Sequence, residues 1–113
     1  MGVVVRGTVA RGDVHLVSLD ATIGNVIRKT RLCVIISPNE LNRHLRTAIV
    51  APMTSGGRSY PWRVACRFQK RAGCVAVDQI RTVDTVRSTR RLGRLTPATV
   101  TEVLETLQEM FAA

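Results

Sequence analysis

The residues best suited to chemistry are three cations, Arg28, Lys29 and Arg31, at the end of a polar, glycine-containing stretch, residues 20–31. The chain then enters its most apolar run, residues 32–38. A loop attached to a rigid, buried strand is a common location for functional side chains. Clustered guanidinium and ammonium groups bind polyanions, most simply phosphate. The pattern therefore predicts a phosphate-binding site at a junction between a loop and a strand.

The charge distribution also favours an anionic partner. The chain carries 17 Lys and Arg against 8 Asp and Glu, a net charge of +9. Glu102, Glu105 and Glu109 lie in a last stretch without bases, so all 17 bases precede Thr96. This imbalance indicates a nucleic acid or an acidic protein as partner and predicts salt-sensitive binding. An inert basic surface is the alternative that composition leaves open.

Composition and motifs argue against several kinds of protein. The 113 residues suffice for one domain, and no apolar run approaches the roughly 20 residues that span a bilayer. Cys33, Cys66 and Cys74 are odd in number and lack CxxC spacing, so we expect neither a disulfide framework nor a zinc site. Cys33 and Cys74 lie in apolar contexts typical of buried residues. A reduced, cytoplasmic compartment is the simplest expectation.

Short strands and one helix must position these residues. Alternation, β-branched runs and turn residues predict strands over residues 14–19, 32–37, 46–53 and 60–66, with residues 74–78 and 80–84 forming one bent strand or two short ones. The run 32–37 suits a strand buried on both faces. We expect turns over residues 54–59 and 68–73, and a turn with one helical turn over 39–45.

The C-terminal segment has the pattern of an amphipathic helix. Thr96 can cap it and Pro97 suits its first position, and the apolar residues recur at helical spacing at Val100, Val103, Leu104, Leu107 and Phe111. The whole pattern predicts a mainly β fold with α, a small and mostly antiparallel barrel with a C-terminal helix. We expect one domain over residues 11–113 after a weakly determined, disordered or short-stranded arm over residues 1–10.

RNA can be cleaved without a metal when its 2′-OH attacks the adjacent phosphorus. The transition state gathers negative charge on the phosphoryl oxygens, which a guanidinium and a positioned hydroxyl can stabilise. Arg31 at a loop-to-strand junction and Thr54 at a strand-to-turn junction are placed for this task. His15 and His44 form a formally available acid–base pair, but their contexts give no reason to expect convergence. As a lone histidine on a strand, His15 is expected to be structural.

Several blocks of the sequence closely resemble the MazF/PemK toxin family. In family order they are RGDV at residues 11–14, LDATIG at 19–24, RKTRLCVIISP at 28–38, NRHLRTAIVAPMTS at 42–55, DQIRTVD at 78–84 and RLGRL at 91–95. The resemblance implies an SH3-like barrel that forms a homodimer and cuts single-stranded RNA at short sequences. It further implies no metal or cofactor, 2′,3′-cyclic phosphate and 5′-OH products, and neutralisation by an acidic antitoxin of the MazE type.

The resemblance also assigns site residues. The family's catalytic arginine corresponds to Arg31 and its catalytic threonine to Thr54. Asn42 and Gln79 lie in blocks near the family's RNA groove and are candidate RNA-binding residues. Three cations join them as candidates for RNA binding: Arg28, Lys29 and, in the turn over residues 54–59, Arg58.

Four positions differ from the family pattern. Leu32 replaces the proline that usually follows the catalytic arginine, and His15 replaces an aromatic residue. Asn25 and Ala76 occupy positions where PemK-like members have histidine and arginine, so their acid–base assignment does not transfer. Arginine is a poor base at neutral pH. Asp78, a histidine or water can therefore take the 2′-OH proton, and the sequence leaves these open.

Two other functions are alternatives to RNA cleavage. A small basic barrel can bind RNA by charge and stacking without cutting it. A gyrase-inhibiting toxin of related fold is the other, but the resemblance implies that such toxins act through a C-terminal Trp-Gly-Ile. This chain instead ends in Met110, Phe111, Ala112 and Ala113. The sequence therefore favours the endoribonuclease.

Overall fold

The computed structural model describes residues 9–19, 30–55 and 61–113. The predicted arm, residues 1–10, lies outside these ranges except for Val9 and Ala10. The predicted RNA-binding cations Arg28, Lys29 and Arg58 also lie outside the described residues.

Seven strands, two α-helices and two short 3₁₀ turns form the described fold. The strands are Asp13–Ser18 (β1), Thr30–Ile35 (β2), Thr47–Ser55 (β3), Arg63–Phe68 (β4), Arg71–Ala76 (β5), Arg81–Asp84 (β6) and Ser88–Arg94 (β7). The helices are Asn39–His44 (α1) and Pro97–Met110 (α2), and the 3₁₀ turns are Val77–Gln79 and Thr85–Arg87. The sheet order is β4-β5-β3-β2-β1-β7, with β6 paired to β3. The strand pairs among the described residues are all antiparallel. This confirms the predicted fold class, an SH3-like antiparallel barrel with a C-terminal helix.

Some elements differ from their predicted bounds. The strand β7 was not predicted, because its sequence of polar and basic residues has little apolar alternation. Thr54 and Ser55 belong to β3 rather than to the following turn. The predicted turn over residues 68–73 is shorter, since only Gln69 and Lys70 separate β4 from β5.

Apolar side chains cover both faces of the central strands. In β2 and the residue after it, Val34 and Ile36 point into one buried cluster, while Cys33 and Ile35 point into the other. The first cluster also contains Val103 of α2. Alternate burial on two faces confirms the prediction of a strand buried on both sides, but the strand is Thr30–Ile35, so it begins and ends two residues before the predicted run 32–37.

The helix α2 has the predicted cap and buries part of its predicted apolar face. The Thr96 side chain accepts a hydrogen bond from the backbone N–H of Thr99 at 3.3 Å, which satisfies one free donor of the first turn. Val103 is buried, whereas Phe111 lies just beyond the helix and is 72% exposed. In the part of the chain that the structure describes, no helix is long and apolar enough to cross a membrane.

A polar cluster joins β1 to β7. The buried Asp13 carboxylate lies 3.3 Å from Arg91 Nε and 3.6 Å from Arg94 Nε. His15 is also buried, and its Nδ1 lies 2.5 Å from Ser88 Oγ. Its Nε2 has no hydrogen-bond partner among the described residues and lies 3.9 Å from Asp13 Oδ2. His15 is therefore a structural residue, as expected.

The burial of His15 predicts a pH-dependent stability. Desolvation lowers the pKa of His15 below its ordinary value of 6.5; the Asp13 carboxylate opposes this shift and Arg91 reinforces it. Below pH 6.5 the unfolded chain therefore binds more protons than the folded chain, and the free energy of unfolding should decrease as the pH falls. Denaturant unfolding at about pH 7.5 and about pH 5.5 measures this decrease.

Two variants identify the group responsible. His15→Gln should flatten the decrease across this pH range, because it removes the titrating imidazole. His44→Gln should leave the decrease unchanged, because His44 is exposed. An equal decrease in wild type and His15→Gln would contradict the assignment.

Candidate active site

A groove opens where β2 and β3 separate. The two strands pair at Ile35 with Val50, Val34 with Ala51 and Cys33 with Pro52, and their pairing ends there. From Met53 to Ser55, β3 pairs with β5, which lies on the other side of β3 from β2. Proline has no N–H to donate to a strand partner, so Pro52 suits this junction.

Arg31 of β2 and Thr54 of β3 lie just beyond the last paired residues of these two strands. The register of β2 and β3, if continued for two positions, would place Arg31 directly opposite Thr54. Both residues line the groove, and both are half-buried. The structure therefore brings together the two residues that the sequence selected for phosphate chemistry.

The groove has a volume of about 810 Å³ and is formed by three parts of the fold. Its described lining consists of Arg31 and Leu32 from β2, Met53, Thr54 and Ser55 from β3, and Cys66, Phe68, Gln69, Arg71, Ala72 and Gly73 from the β4–β5 hairpin. Two guanidinium groups and two hydroxyl groups face this space, and the described lining contains no carboxylate or imidazole. Such a surface suits an anion that needs hydrogen-bond donors.

Contacts with β5 hold Thr54 in place. The Thr54 hydroxyl lies 3.4 Å from the Cys74 sulfur, with which it can share a hydrogen bond. Gly73, the partner of Ser55 in the strand register, allows the backbones to approach closely. A Cβ atom at Gly73 would lie 2.3 Å from the Thr54 carbonyl oxygen, so a larger residue would displace the strand that bears the hydroxyl.

The cysteines are free and poorly suited to nucleophilic chemistry. Cys33 is fully buried, and desolvation raises the pKa of its thiol to about 12. Cys66 lies in the groove, and burial followed by the neighbouring Cys74 raises the pKa of its thiol. Since the thiolate is the nucleophilic form, neither Cys33 nor Cys66 favours attack at neutral pH. Cys33 and Cys74 are both buried, as predicted.

Asp78 lies outside the described lining of the groove and has an arginine partner. The Arg63 guanidinium donates to both carboxylate oxygens, from Nε at 2.7 Å and from a terminal nitrogen at 3.4 Å. These hydrogen bonds lower the pKa of Asp78, against a smaller opposing effect of desolvation. Arg63 lies opposite Ala76 in the strand register. The pairing keeps Asp78 ionised and weakens it as a base.

The two predicted amide-bearing RNA contacts lie in different environments. Gln79 is exposed on the 3₁₀ turn Val77–Gln79 and is absent from the groove lining. Asn42 is fully buried, with its Nδ2 donating to the Ser37 carbonyl at 3.0 Å and its Oδ1 accepting from the Ser37 hydroxyl at 2.6 Å. The Ser37 hydroxyl also accepts from the backbone N–H of Ile49 at 3.0 Å. In this conformation the Asn42 amide serves the fold and does not face the groove.

Two residues on the hairpin side of the groove were not predicted as site residues. Gln69 and Arg71 were placed within a basic turn, without a role, although both line the groove. The two-residue turn brings them there, and the register of β4 with β5 extends to Phe68 and Arg71. The sequence signal that could have indicated this placement is a strand–turn–strand pattern in which the cation Arg71 directly follows the turn.

A family model described as "PemK-like, MazF-like toxin of type II toxin-antitoxin system" matches residues 10–111. The chain belongs to this family. It is 36% identical over 105 residues to a protein named Endoribonuclease PemK from Escherichia coli. The aligned region covers 88% of this chain and 79% of that relative. The predicted resemblance to MazF/PemK toxins is thereby confirmed.

Solved structures of toxins show the same fold. An endoribonuclease in complex with its cognate antitoxin, from Mycobacterial species, matches with a TM-score of 0.73 and 28% identity, over 88% of this chain and 91% of that chain. A MazE-MazF structure from Deinococcus radiodurans gives a TM-score of 0.78 at 20% identity, over 89% and 93% of the two chains. The second match establishes similarity of fold alone.

The environment of Asn42 predicts that its substitution affects folding rather than RNA contact. Asn42→Ala removes both hydrogen bonds to Ser37 and should lower the free energy of unfolding by about 1–3 kcal/mol. Gln79→Ala, which changes an exposed amide outside the described groove lining, should leave the unfolding free energy within about 0.5 kcal/mol of wild type. Chemical denaturation measures both values, and RNA affinity is measured where each variant is fully folded. An Asn42→Ala protein with wild-type stability and weaker RNA binding would contradict this assignment.

Proposed function

We propose that the chain is a toxin endoribonuclease that cuts single-stranded RNA at short sequences in the groove between β2, β3 and the β4–β5 hairpin. The observation that carries the proposal is that Arg31 and Thr54 both line one basic groove. Family membership and the relative named Endoribonuclease PemK support the same activity.

The proposed reaction is an internal transfer at phosphorus. The 2′-oxygen forms a bond to phosphorus and loses its proton, while the bond from phosphorus to the 5′-oxygen breaks and that oxygen gains a proton. The products are a 2′,3′-cyclic phosphate and a 5′-OH. No water is consumed and no electrons are transferred. The reaction therefore balances without a metal or a cofactor.

The proposed roles follow from charge and geometry. The Arg31 guanidinium donates paired hydrogen bonds to the phosphoryl oxygens as their negative charge increases, and the Thr54 hydroxyl donates another. Thr54 can act in this way because Cys74 and Gly73 fix its position. Arg71 on the facing hairpin contributes a second positive charge that holds the RNA backbone. Arg28, Lys29 and Arg58 remain proposed RNA contacts.

The described lining of the groove provides no strong base for the 2′-OH proton. Arginine stays protonated at neutral pH, and the raised pKa of Cys66 keeps its thiol protonated. Asp78 is paired with Arg63, and His15 is buried against Ser88. We therefore assign the main acceleration to stabilisation of the phosphoryl charge, with water as the proton acceptor in this part of the site. A cleavage rate that falls with the titration of a protein carboxylate, and is abolished in Asp78→Asn, would contradict this assignment.

The basic groove also supports the proposed partners. An acidic antitoxin of the MazE type would occupy the surface that RNA uses, since both are polyanionic. Simultaneous binding of RNA and antitoxin would contradict this.

We also propose a homodimer, supported by family membership and by exposed apolar side chains such as Phe111 and Leu45. A monomeric mass in sedimentation equilibrium at micromolar concentration would contradict the dimer.

Arg31→Ala should reduce the cleavage rate constant about 100- to 1,000-fold in buffer containing EDTA, because a donor to the developing charge is lost. Single-turnover cleavage of a long RNA measures the rate constant and detects the products. Arg43→Ala removes the same charge from an exposed position on α1 and should cleave within about twofold of wild type.

The controls separate catalysis from folding and binding. Each variant should retain the wild-type circular dichroism spectrum, and RNA affinity should fall much less than the rate constant. Equal cleavage by Arg31→Ala and wild type would remove Arg31 from the mechanism. RNA binding by wild type without any cleavage product would instead support the non-enzymatic RNA-binding module.

A further inference from the structure

The turn between β4 and β5 has an unusual backbone for its residues. Gln69 has a φ of 50° and Lys70 a φ of 68°, so both lie in the left-handed region. Positive φ at both central residues defines a type I′ hairpin turn, which strongly favours Asn-Gly, Asp-Gly or Gly-Gly. Glutamine and lysine, with a Cβ and a long side chain, are poor choices for this conformation.

The surrounding fold imposes this conformation. The register of β4 with β5 runs without a break from Arg63 with Ala76 to Phe68 with Arg71, which leaves only two residues to reverse the chain. Arg67 donates to the Lys70 carbonyl at 3.3 Å across the turn. Phe68, at the base of the turn, packs against the core, and a Cβ on Gly93 would lie only 3.2 Å from its ring. The tip is therefore held on a rigid hairpin.

One of the two unfavourable turn residues lines the groove. Gln69 is exposed and belongs to the same lining as Arg31 and Thr54, whereas Lys70 does not. Uncommon backbone conformations are kept where the surrounding structure enforces them, and they concentrate at functional sites. The glutamine carboxamide has two donors and an acceptor, which can pair with the edge of an unstacked base.

We infer that Gln69 is a specificity-determining residue that recognises one base next to the scissile phosphate through its carboxamide. The phosphate contacts of Arg31, Thr54 and Arg71 carry no sequence information, because every nucleotide has the same phosphate. A side chain on the facing wall of the groove that can both donate and accept hydrogen bonds supplies that information. This inference rests on the proposed function, because it concerns the RNA that the groove binds.

Matched variants of the turn test the inference. Gln69→Gly removes the carboxamide and relieves the backbone, Gln69→Glu keeps the length but loses the amide donors, and Lys70→Gly relieves the backbone while keeping Gln69. Both glycine variants should raise Tm by about 4 °C, because glycine adopts positive φ freely. Thermal unfolding of each variant establishes that it is folded before its RNA preference is measured.

Cleavage ends mapped on one long RNA give the base preference of each protein. Gln69→Gly and Gln69→Glu should lose about tenfold in discrimination at one position beside the cut, since a paired base contact contributes discrimination of this order. Lys70→Gly should retain the wild-type preference. An unchanged preference in Gln69→Gly, or an equal loss in Lys70→Gly, would overturn the inference.

A binding measurement keeps this test separate from the proposed cleavage. Fluorescence anisotropy with short RNAs that differ at a single base measures the same preference without any cut. Absence of cleavage by wild type would overturn the proposed enzyme. The Gln69 inference is tested separately by affinity. It holds if the single-base affinity difference of wild type disappears in Gln69→Gly and persists in Lys70→Gly, and it fails otherwise.

Discussion

The fold and its groove both depend on the hydrogen bonding of one long strand. The nine residues of β3, Thr47–Ser55, pair with β6 at the start, with β2 in the middle and with β5 at the end. In the sheet order, β5 and β2 lie on opposite sides of β3. The pairing of β2 with β3 ends at Cys33 and Pro52, although both strands continue beyond it. The groove occupies this opening, so its location is a consequence of how the barrel is built.

The same constraint explains how the groove can be both rigid and polar. The strands beneath it have buried apolar side chains on both faces, including Val34, Val50, Ala51 and Val75, which fix the backbone. Arg31 and Thr54 lie just beyond the segment in which β2 pairs with β3. Their side chains reach solvent there while their backbones remain in strands. Preorganised donors of this kind stabilise charge in a transition state without first having to reorganise.

The sequence predicted those features that depend on local patterns. The apolar run of β2 and the capped helix α2 were recognisable because burial and capping leave a periodic or positional signal. Arg31 and Thr54 were selected by their positions at strand ends and by the family resemblance. The strand β7 was missed because it is held by pairing with β1 and by ion pairs to the buried Asp13, and neither depends on an apolar pattern in β7 itself.

Other features required the three-dimensional register. Asn42 belongs to a sequence block that the family resemblance places near the RNA groove. The structure instead buries its amide against Ser37. The pairing of Arg63 with Asp78 joins two strands, so no spacing within the sequence could indicate it. Gln69 enters the groove only because the hairpin turn has two residues and folds back beside β3. Such placements arise from strand pairing, which single-sequence patterns do not specify.

The central claim is that the groove accelerates attack by the 2′-oxygen on the neighbouring phosphorus. The most direct test compares a short RNA carrying one cleavage site with the same RNA lacking only the 2′-OH before the scissile phosphate. The claim predicts that the complete RNA yields a 2′,3′-cyclic phosphate in EDTA, and that the 2′-deoxy RNA binds with similar affinity but stays intact. Cleavage of the 2′-deoxy RNA at the same bond would contradict it.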